Sequence, residues 1–218
     1  RFADLLPEQH PPGHDHPADR AVGGHAQQHP DLGHIAEGVD PHRHRIDVHD
    51  RHMRSQANLD RFLYTGNDLL GRTVGIIGCG NIGGRVAELC KGLFRMTVLA
   101  YDPYLSKEQL AAKGAEKVEL SELMRHADYV TMHTPRNKET FGLVGYDQLA
   151  LMKPTSYFIN TSRGGTYVEE DLARILKEKR IAGAGIDVFL DEPPPLDHPL
   201  MAFDNVILTP HCAGATIE

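Results

Sequence analysis

Residues 73–83 run Thr73-Val74-Gly75-Ile76-Ile77-Gly78-Cys79-Gly80-Asn81-Ile82-Gly83. The first five are apolar or β-branched and too few for a helix, so they read as a strand buried on both faces. The next six spell G-x-G-x-x-G, and Ile82–Leu93 then reads as a helix with Ile82, Val86 and Leu89/Cys90 on one face. The glycine pattern alone is a weak signal. Between a strand and a helix it predicts a turn for a dinucleotide: Gly78 makes the tight turn, Gly80 lets the backbone approach a pyrophosphate, and Gly83 lets helix and strand pack closely. The helix start then offers unpaired N–H groups to phosphate.

Outward from this turn, Met96–Tyr101 reads as a second strand ending at Asp102, 102 − 83 = 19 residues after the last glycine. A carboxylate there accepts hydrogen bonds from ribose hydroxyls and repels a 2′-phosphate, which favours NAD over NADP. The plainer reading is that Asp102 only starts the Asp102-Pro103 turn. Beyond it, helical and strand-like segments alternate. Lys107–Lys113 reads as a helix, and Val118 falls in a short strand. Ser121 caps a helix to about Ala127. Tyr129–His133 reads as a strand and Tyr146–Met152 as a helix stopped near Pro154. Ser156–Asn160 is a strand, Glu169–Lys179 a helix, and Gly185–Phe189 and Val206–Thr209 are two more strands. Short apolar runs between amphipathic helices predict an α/β fold, a doubly wound parallel sheet of Rossmann type.

The composition is uneven. Net charge is 23 − 30 = −7. Residues 1–52 hold 10 of the 14 histidines and 6 of the 14 prolines, no lysine and no apolar period. So little apolar surface cannot offset chain entropy, and residues 1–53 are expected to be a low-order segment ahead of a dinucleotide-binding domain over 54–218. Arg54–Tyr64 reads as a short helix within it. The histidines read mainly as solvated loop residues; a metal-binding tail is the rival, and no metal site is assigned. A lysine-free stretch of this kind is also what an out-of-frame reading of a GC-rich gene gives. No run approaches the ~20 apolar residues of a membrane helix, and no leader pattern is seen. Three cysteines (Cys79, Cys90, Cys212) are too few for a disulfide scaffold. A cytoplasmic protein is expected, with no membrane or nucleic-acid partner.

Three residues fall just after expected strands: Arg163, Glu192 and His211. In an open parallel sheet, ligands bind beyond the carboxyl ends of the strands, so all three are expected near the cofactor. A guanidinium holds a carboxylate bidentately, an imidazole moves a proton, and a neighbouring carboxylate stabilises the protonated ring. Asp191 rivals Glu192 for that last role. His126 and His198 look structural or solvated.

These segments resemble one family. Leu70-Gly71-Arg72-Thr73-Val74-Gly75-Ile76-Ile77-Gly78, His133-Thr134-Pro135, Asn160-Thr161-Ser162-Arg163-Gly164-Gly165, Gly185-Ile186-Asp187-Val188-Phe189 with Glu192-Pro193, and Thr209-Pro210-His211 stand in the order found in the D-isomer-specific 2-hydroxyacid dehydrogenases, which include phosphoglycerate dehydrogenase. The resemblance covers roughly residues 60–218. It implies an NAD-dependent oxidoreductase acting on the CH–OH group of a small 2-hydroxyacid. Arg163 would bind the substrate carboxylate and keto oxygen, His211 would be the general acid or base, and Glu192 would pair with His211. Asn81 and Ile82 would lie against the pyrophosphate in the turn shaped by Gly78, Gly80 and Gly83, Asp102 on the ribose, and His133 and Pro135 near the adenosine or ribose. Thr161, Asp187 and the segment from His211 to Gly214 would line the nicotinamide side. Glu192 argues against formate dehydrogenase, whose relatives use Gln as the histidine's partner.

The family also carries a substrate domain before the nucleotide domain, and residues 1–52 do not resemble it. That domain is expected to be missing, leaving weak or no activity and a doubtful homodimer. A non-enzymatic NAD-binding module, like the family's corepressor members, is the alternative function.

Overall fold

In the computed structural model the described residues are 66–215. The helix read over Arg54–Tyr64 and the segment 1–53 lie outside them. Seven strands and five α-helices alternate, beginning with β1 (Thr73–Ile77), α1 (Asn81–Gly92), β2 (Thr97–Tyr101), α2 (Lys107–Ala112) and β3 (Glu116–Lys117). There follow α3 (Leu120–His126), β4 (Tyr129–Met132), α4 (Tyr146–Leu149), β5 (Tyr157–Asn160), α5 (Glu169–Lys177), β6 (Gly183–Ile186), a 3-10 turn (Pro199–Ala202) and β7 (Val206–Leu208). The strands form one sheet in the order β3-β2-β1-β4-β5-β6-β7. Every neighbouring pair is parallel. The order reverses between β1 and β4, and a crevice opens at such a switch point.

Helices cover both faces. Val74, Ile76, Val98 and Ala100 pack with Ala87 and Leu110 on one side. Ile77, Val130, Met132, Phe158 and Ile186 pack with Leu123, Leu172 and Ile175 on the other. The alternation of Ile76 and Ile77 between the two layers is why β1 reads as an unbroken apolar run. Local sequence and helix position agree at α2, where Ser106 and Gln109 form a reciprocal capping box. They agree again at α5, with Glu169, Glu170 and Asp171 in the first turn and Arg174 and Lys177 in the last.

Several boundaries differ from the expectations. Val118 lies just past β3, buried, with its N–H bonded to the Ala100 carbonyl at 3.0 Å. Ser121 is not a cap: α3 starts at Leu120, and Glu119 takes the cap position in extended geometry without a side-chain bond. The strand expected at Gly185–Phe189 is Gly183–Ile186, because Gly183 and Ala184 carry no apolar signal yet pair with Tyr157 and Phe158. Helix α5 stops at Lys177, and Lys179 adopts a left-handed φ of 54°. Among the described residues no helix is long and apolar enough to cross a membrane.

At the amino edge of the sheet one residue, just before β4, ties β1 to β5. Asp128 accepts the Thr73 N–H at 2.9 Å and the Lys153 ammonium at 2.8 Å, and its carbonyl takes the Tyr157 N–H at 3.0 Å. Burial opposes the charge of Asp128, but the bonds from Lys153 and Thr73 outweigh it and hold the carboxyl below the usual range. A depressed folded-state value adds stability above the unfolded carboxylate pKa of about 4 and loses it as pH falls below that. Asp128→Ala is therefore expected to cost about 1–3 kcal/mol at neutral pH, with the gap to the parent closing below about pH 4. Urea melts of both proteins across pH check this; a gap that does not change with pH contradicts it.

Candidate active site

The glycine turn is built by contact. A Cβ placed on Gly83 would lie 2.1 Å from the Gly78 carbonyl oxygen, so only glycine lets the first turn of α1 lie against the end of β1. The cap position of α1 is Gly80, with no side-chain cap and no acidic residue in the first turn. The first amides of the helix therefore have no anionic partner of their own, which suits a diphosphate. Two open clefts that share His133, Thr134 and Pro135 adjoin this helix start. One, of about 480 Å³, is lined by Gly78, Gly80, Asp102, Tyr104 and Pro135 among others. The other, of about 590 Å³, is lined by Ile82, His133, Thr161, Ser162 and Arg163 among others. An extended dinucleotide, with its two ends on either side of a diphosphate, fits this arrangement.

Asp102 lines the first cleft but is 8% exposed. One carboxylate oxygen accepts the Cys79 N–H and the other the Tyr104 N–H, both at 2.9 Å. Its turn role is thus present, and the same carboxylate clamps the glycine loop. His133 is half-buried, its Nε2 lies 3.1 Å from the Thr131 hydroxyl, and burial pushes its pKa down. Among the described residues, no lysine or arginine lines the cleft on the Asp102 side.

Arg163 sits on a loop fixed from below. Asn160, fully buried at the end of β5, accepts the Ser162 N–H at 2.9 Å and the Ser162 hydroxyl at 2.7 Å, and donates to the Thr166 hydroxyl at 3.0 Å. The Arg163 side chain is exposed and lines the second cleft. Next to it, a Cβ on Gly164 would fall 1.7 Å from the Phe189 carbonyl oxygen. The Arg163 loop therefore rests on the turn that leaves β6.

That turn carries Glu192. One oxygen of Glu192 accepts the Phe189 N–H at 3.0 Å, and the other meets Nδ1 of His211 at 2.8 Å. Glu192, not Asp191, is thus the partner of the histidine. The bond from His211 and then the Phe189 amide hold the Glu192 carboxyl below its usual range. Nδ1 is taken, so Nε2 is the ring nitrogen left to face a substrate. His211 has a φ of 54°, a left-handed conformation costly for a residue with a side chain. Asp187 enforces it. The Asp187 carbonyl accepts the His211 N–H at 2.8 Å, and the carboxylate accepts the Cys212 and Ala213 N–H groups at 2.9 Å and the Thr209 hydroxyl at 2.5 Å.

Asp187 and Gly214 line neither cleft. Asp187 is 2% exposed, and its carboxylate is spent on the His211 loop rather than presented to a cleft wall. Burial raises its pKa, but those bonds prevail and hold it below the usual range. Gly214 lies in the exposed turn after His211. Gly78, Gly80, Ile82, Asp102, His133, Pro135 and Thr161 all line one cleft or both. Asn81 is the exposed first residue of α1. Thr134, Arg136 and Ser162 also line the second cleft, Thr134 and Ser162 from within the motifs quoted above. Asn160, a buried amide just before the arginine loop, supports that loop without lining a cleft. His126 is exposed at the end of α3, whereas His198 is buried and paired with Glu169.

Residues 41–213 match the sequence model of the D-isomer specific 2-hydroxyacid dehydrogenase NAD-binding domain. The chain belongs to that family. The match takes in residues ahead of the expected domain boundary at 54. The chain is 41% identical over 174 residues to D-3-phosphoglycerate dehydrogenase of Archaeoglobus fulgidus, which covers 80% of this chain and 33% of that protein. It is 44% identical over 177 residues to glyoxylate reductase of Korarchaeum cryptofilum, covering 80% and 53%. Among solved structures it resembles D-lactate dehydrogenase of Aquifex aeolicus complexed with NAD and lactic acid, with a TM-score of 0.68 and 33% identity over 78% of this chain and 55% of that one. The chain thus spans about a third to a half of the length of these relatives.

The Gly83 contact gives a direct test. Gly83→Ala is expected to weaken NADH binding at least about tenfold, because a new Cβ at that distance forces the turn open. Titration of NADH fluorescence measures it; an unchanged affinity means the turn is not the dinucleotide seat.

Proposed function

We propose that this polypeptide contains the cofactor half of a D-2-hydroxyacid dehydrogenase, with residues 54–218 as its dinucleotide-binding domain and Arg163, Glu192 and His211 as its catalytic residues. The Glu192–His211 bond carries this reading, since it leaves one imidazole nitrogen free beside an arginine loop. Arg163 offers two parallel N–H donors to a substrate carboxylate, which fixes the C2 carbon and its oxygen relative to His211. His211 Nε2 takes the hydroxyl proton during oxidation and returns it to the keto oxygen during reduction. Glu192 holds Nδ1–H and offsets the positive charge that the ring gains when Nε2 is protonated. Bound NAD supplies the hydride acceptor, and NADH the donor. The first amides of α1, with Gly80 and Ile82, would hold the diphosphate. The acidic, lysine-free wall at Asp102 favours an unphosphorylated ribose.

Arg163, Glu192 and His211 are all exposed on the described residues. Exclusion of water strengthens the electrostatics of such a transfer, so this chain by itself is proposed to turn over slowly. Its partner is a small 2-hydroxyacid or 2-oxoacid. Its three free thiols suit a reducing compartment such as the cytoplasm.

Purified chain, NAD and a panel of D- and L-2-hydroxyacids test the reading through NADH absorbance. Turnover is expected for D-substrates only, below the ordinary ~1–10³ s⁻¹. His211→Gln is expected to lower it by about 10²–10⁴ with NADH affinity retained. An active His211→Gln variant overturns the assignment of the acid–base group.

A further inference from the structure

A second histidine–carboxylate pair lies beneath the first. Glu169, the first residue of α5, meets Nε2 of His198 at 2.9 Å through one oxygen and accepts the Leu190 N–H at 2.7 Å through the other. The Leu200 N–H points at Nδ1 of His198 at 3.3 Å. Nδ1 therefore acts as an acceptor, and Nε2 carries the proton donated to Glu169. The Phe189 ring meets the His198 ring edge-on, with centroids 5.2 Å apart. The side chains of this pair are 7% and 14% exposed, against 42% and 37% for His211 and Glu192.

The two pairs share one short turn. Glu192 grips the amide of Phe189, and Glu169 grips the next amide, that of Leu190. A shift of the Leu190 peptide plane moves Phe189 with it, and with Phe189 the donor that orients Glu192. We propose that Glu169 and His198 are positioning residues: a buried pair that fixes the Phe189–Glu192 turn and so holds the carboxylate of Glu192 on His211. The inference rests on the reading of His211 as the acid–base group, but it makes a claim about different residues. It explains why a buried histidine is tolerated at 198, since each ring nitrogen has a partner and removal of either member would strand the other. It also explains why α5 begins with an acidic residue that points toward a loop rather than solvent.

The experiment is NMR of the full chain with nitrogen-labelled histidine, following the Nδ1–H signal of His211, assigned by its loss in His211→Gln. Glu192→Ala marks the position of a released ring. In Glu169→Ala the His211 signal is expected to move most of the way toward that reference. In Glu169→Gln, which keeps an acceptor for the Leu190 amide, it is expected to stay near the parent. His198→Asn is read in the same way should Glu169→Ala not fold, which thermal melts report. NADH affinity is expected to stay within about twofold in all three, since neither residue lines a cleft. A His211 signal at the parent position in Glu169→Ala, or one displaced equally in Glu169→Gln, overturns the proposal. A parent chain that binds no NADH would instead remove the dehydrogenase reading while leaving this test of the turn intact.

Discussion

Each functional loop at the carboxyl edge of the sheet is tied down by a buried polar side chain at or just beyond the end of its own or the neighbouring strand. Asp102 after β2 holds the glycine turn through the Cys79 amide. Asn160 at the end of β5 holds the Arg163 loop through Ser162. Asp187 after β6 holds the His211 loop through two amides and a hydroxyl. A parallel sheet makes this necessary. All its strands finish on one edge, each leaves unpaired groups there, and every exit loop must satisfy its amides without a neighbouring strand. Buried acceptors at those points serve the fold first. The site is where the amides that they do not use, and the side chains carried between them, face solvent.

That division explains what could be read from the sequence. The strand–glycine–helix unit was legible because it is local: an apolar run, three glycines and a small-residue helix lie within twenty residues. The pairing of Glu192 with His211 was legible only through motif order, since the two are separated by 211 − 192 = 19 residues and join through a turn whose shape no periodicity encodes. Asp102 and Asp187 show the limit. A carboxylate after a strand reads as a ligand for something polar, and the sequence does not say whether that partner is a cofactor or the chain's own amides. For Asp187 the amides of Cys212 and Ala213 take up the carboxylate, and no local pattern links residues 25 and 26 positions apart. The displaced start of β6 has a similar origin: Gly183 and Ala184 are strand residues by pairing, not by propensity.

The energetics of the His211 loop follow from the same interactions. A left-handed φ at a residue with a Cβ costs on the order of 1–3 kcal/mol. Several hydrogen bonds to Asp187, some of them charge-assisted, are together large enough to offset it. The exposed Glu192–His211 contact is too weakly shielded to impose that geometry. Backbone conformation at the histidine is therefore set by Asp187 and the direction of its ring by Glu192. Two carboxylates thus carry separate tasks, one fixing the loop and the other the ring.

The proposed division of roles fits relatives that are named for different acids yet match this chain at similar identity. On the proposed reading the groups assembled here would address atoms shared by every 2-hydroxyacid: the carboxylate at Arg163, the C2 oxygen at His211, and the cofactor at α1. None of them reaches for the substituent on C2. On that reading, selection among different acids would fall to other groups, and it could change without disturbing any interaction described above. The internal hydrogen bonds at Asp102, Asn160 and Asp187 hold these loops in place. Asp187→Ala would forfeit the loop whatever the substrate, whereas a change in specificity need touch none of Asp102, Asn160 or Asp187.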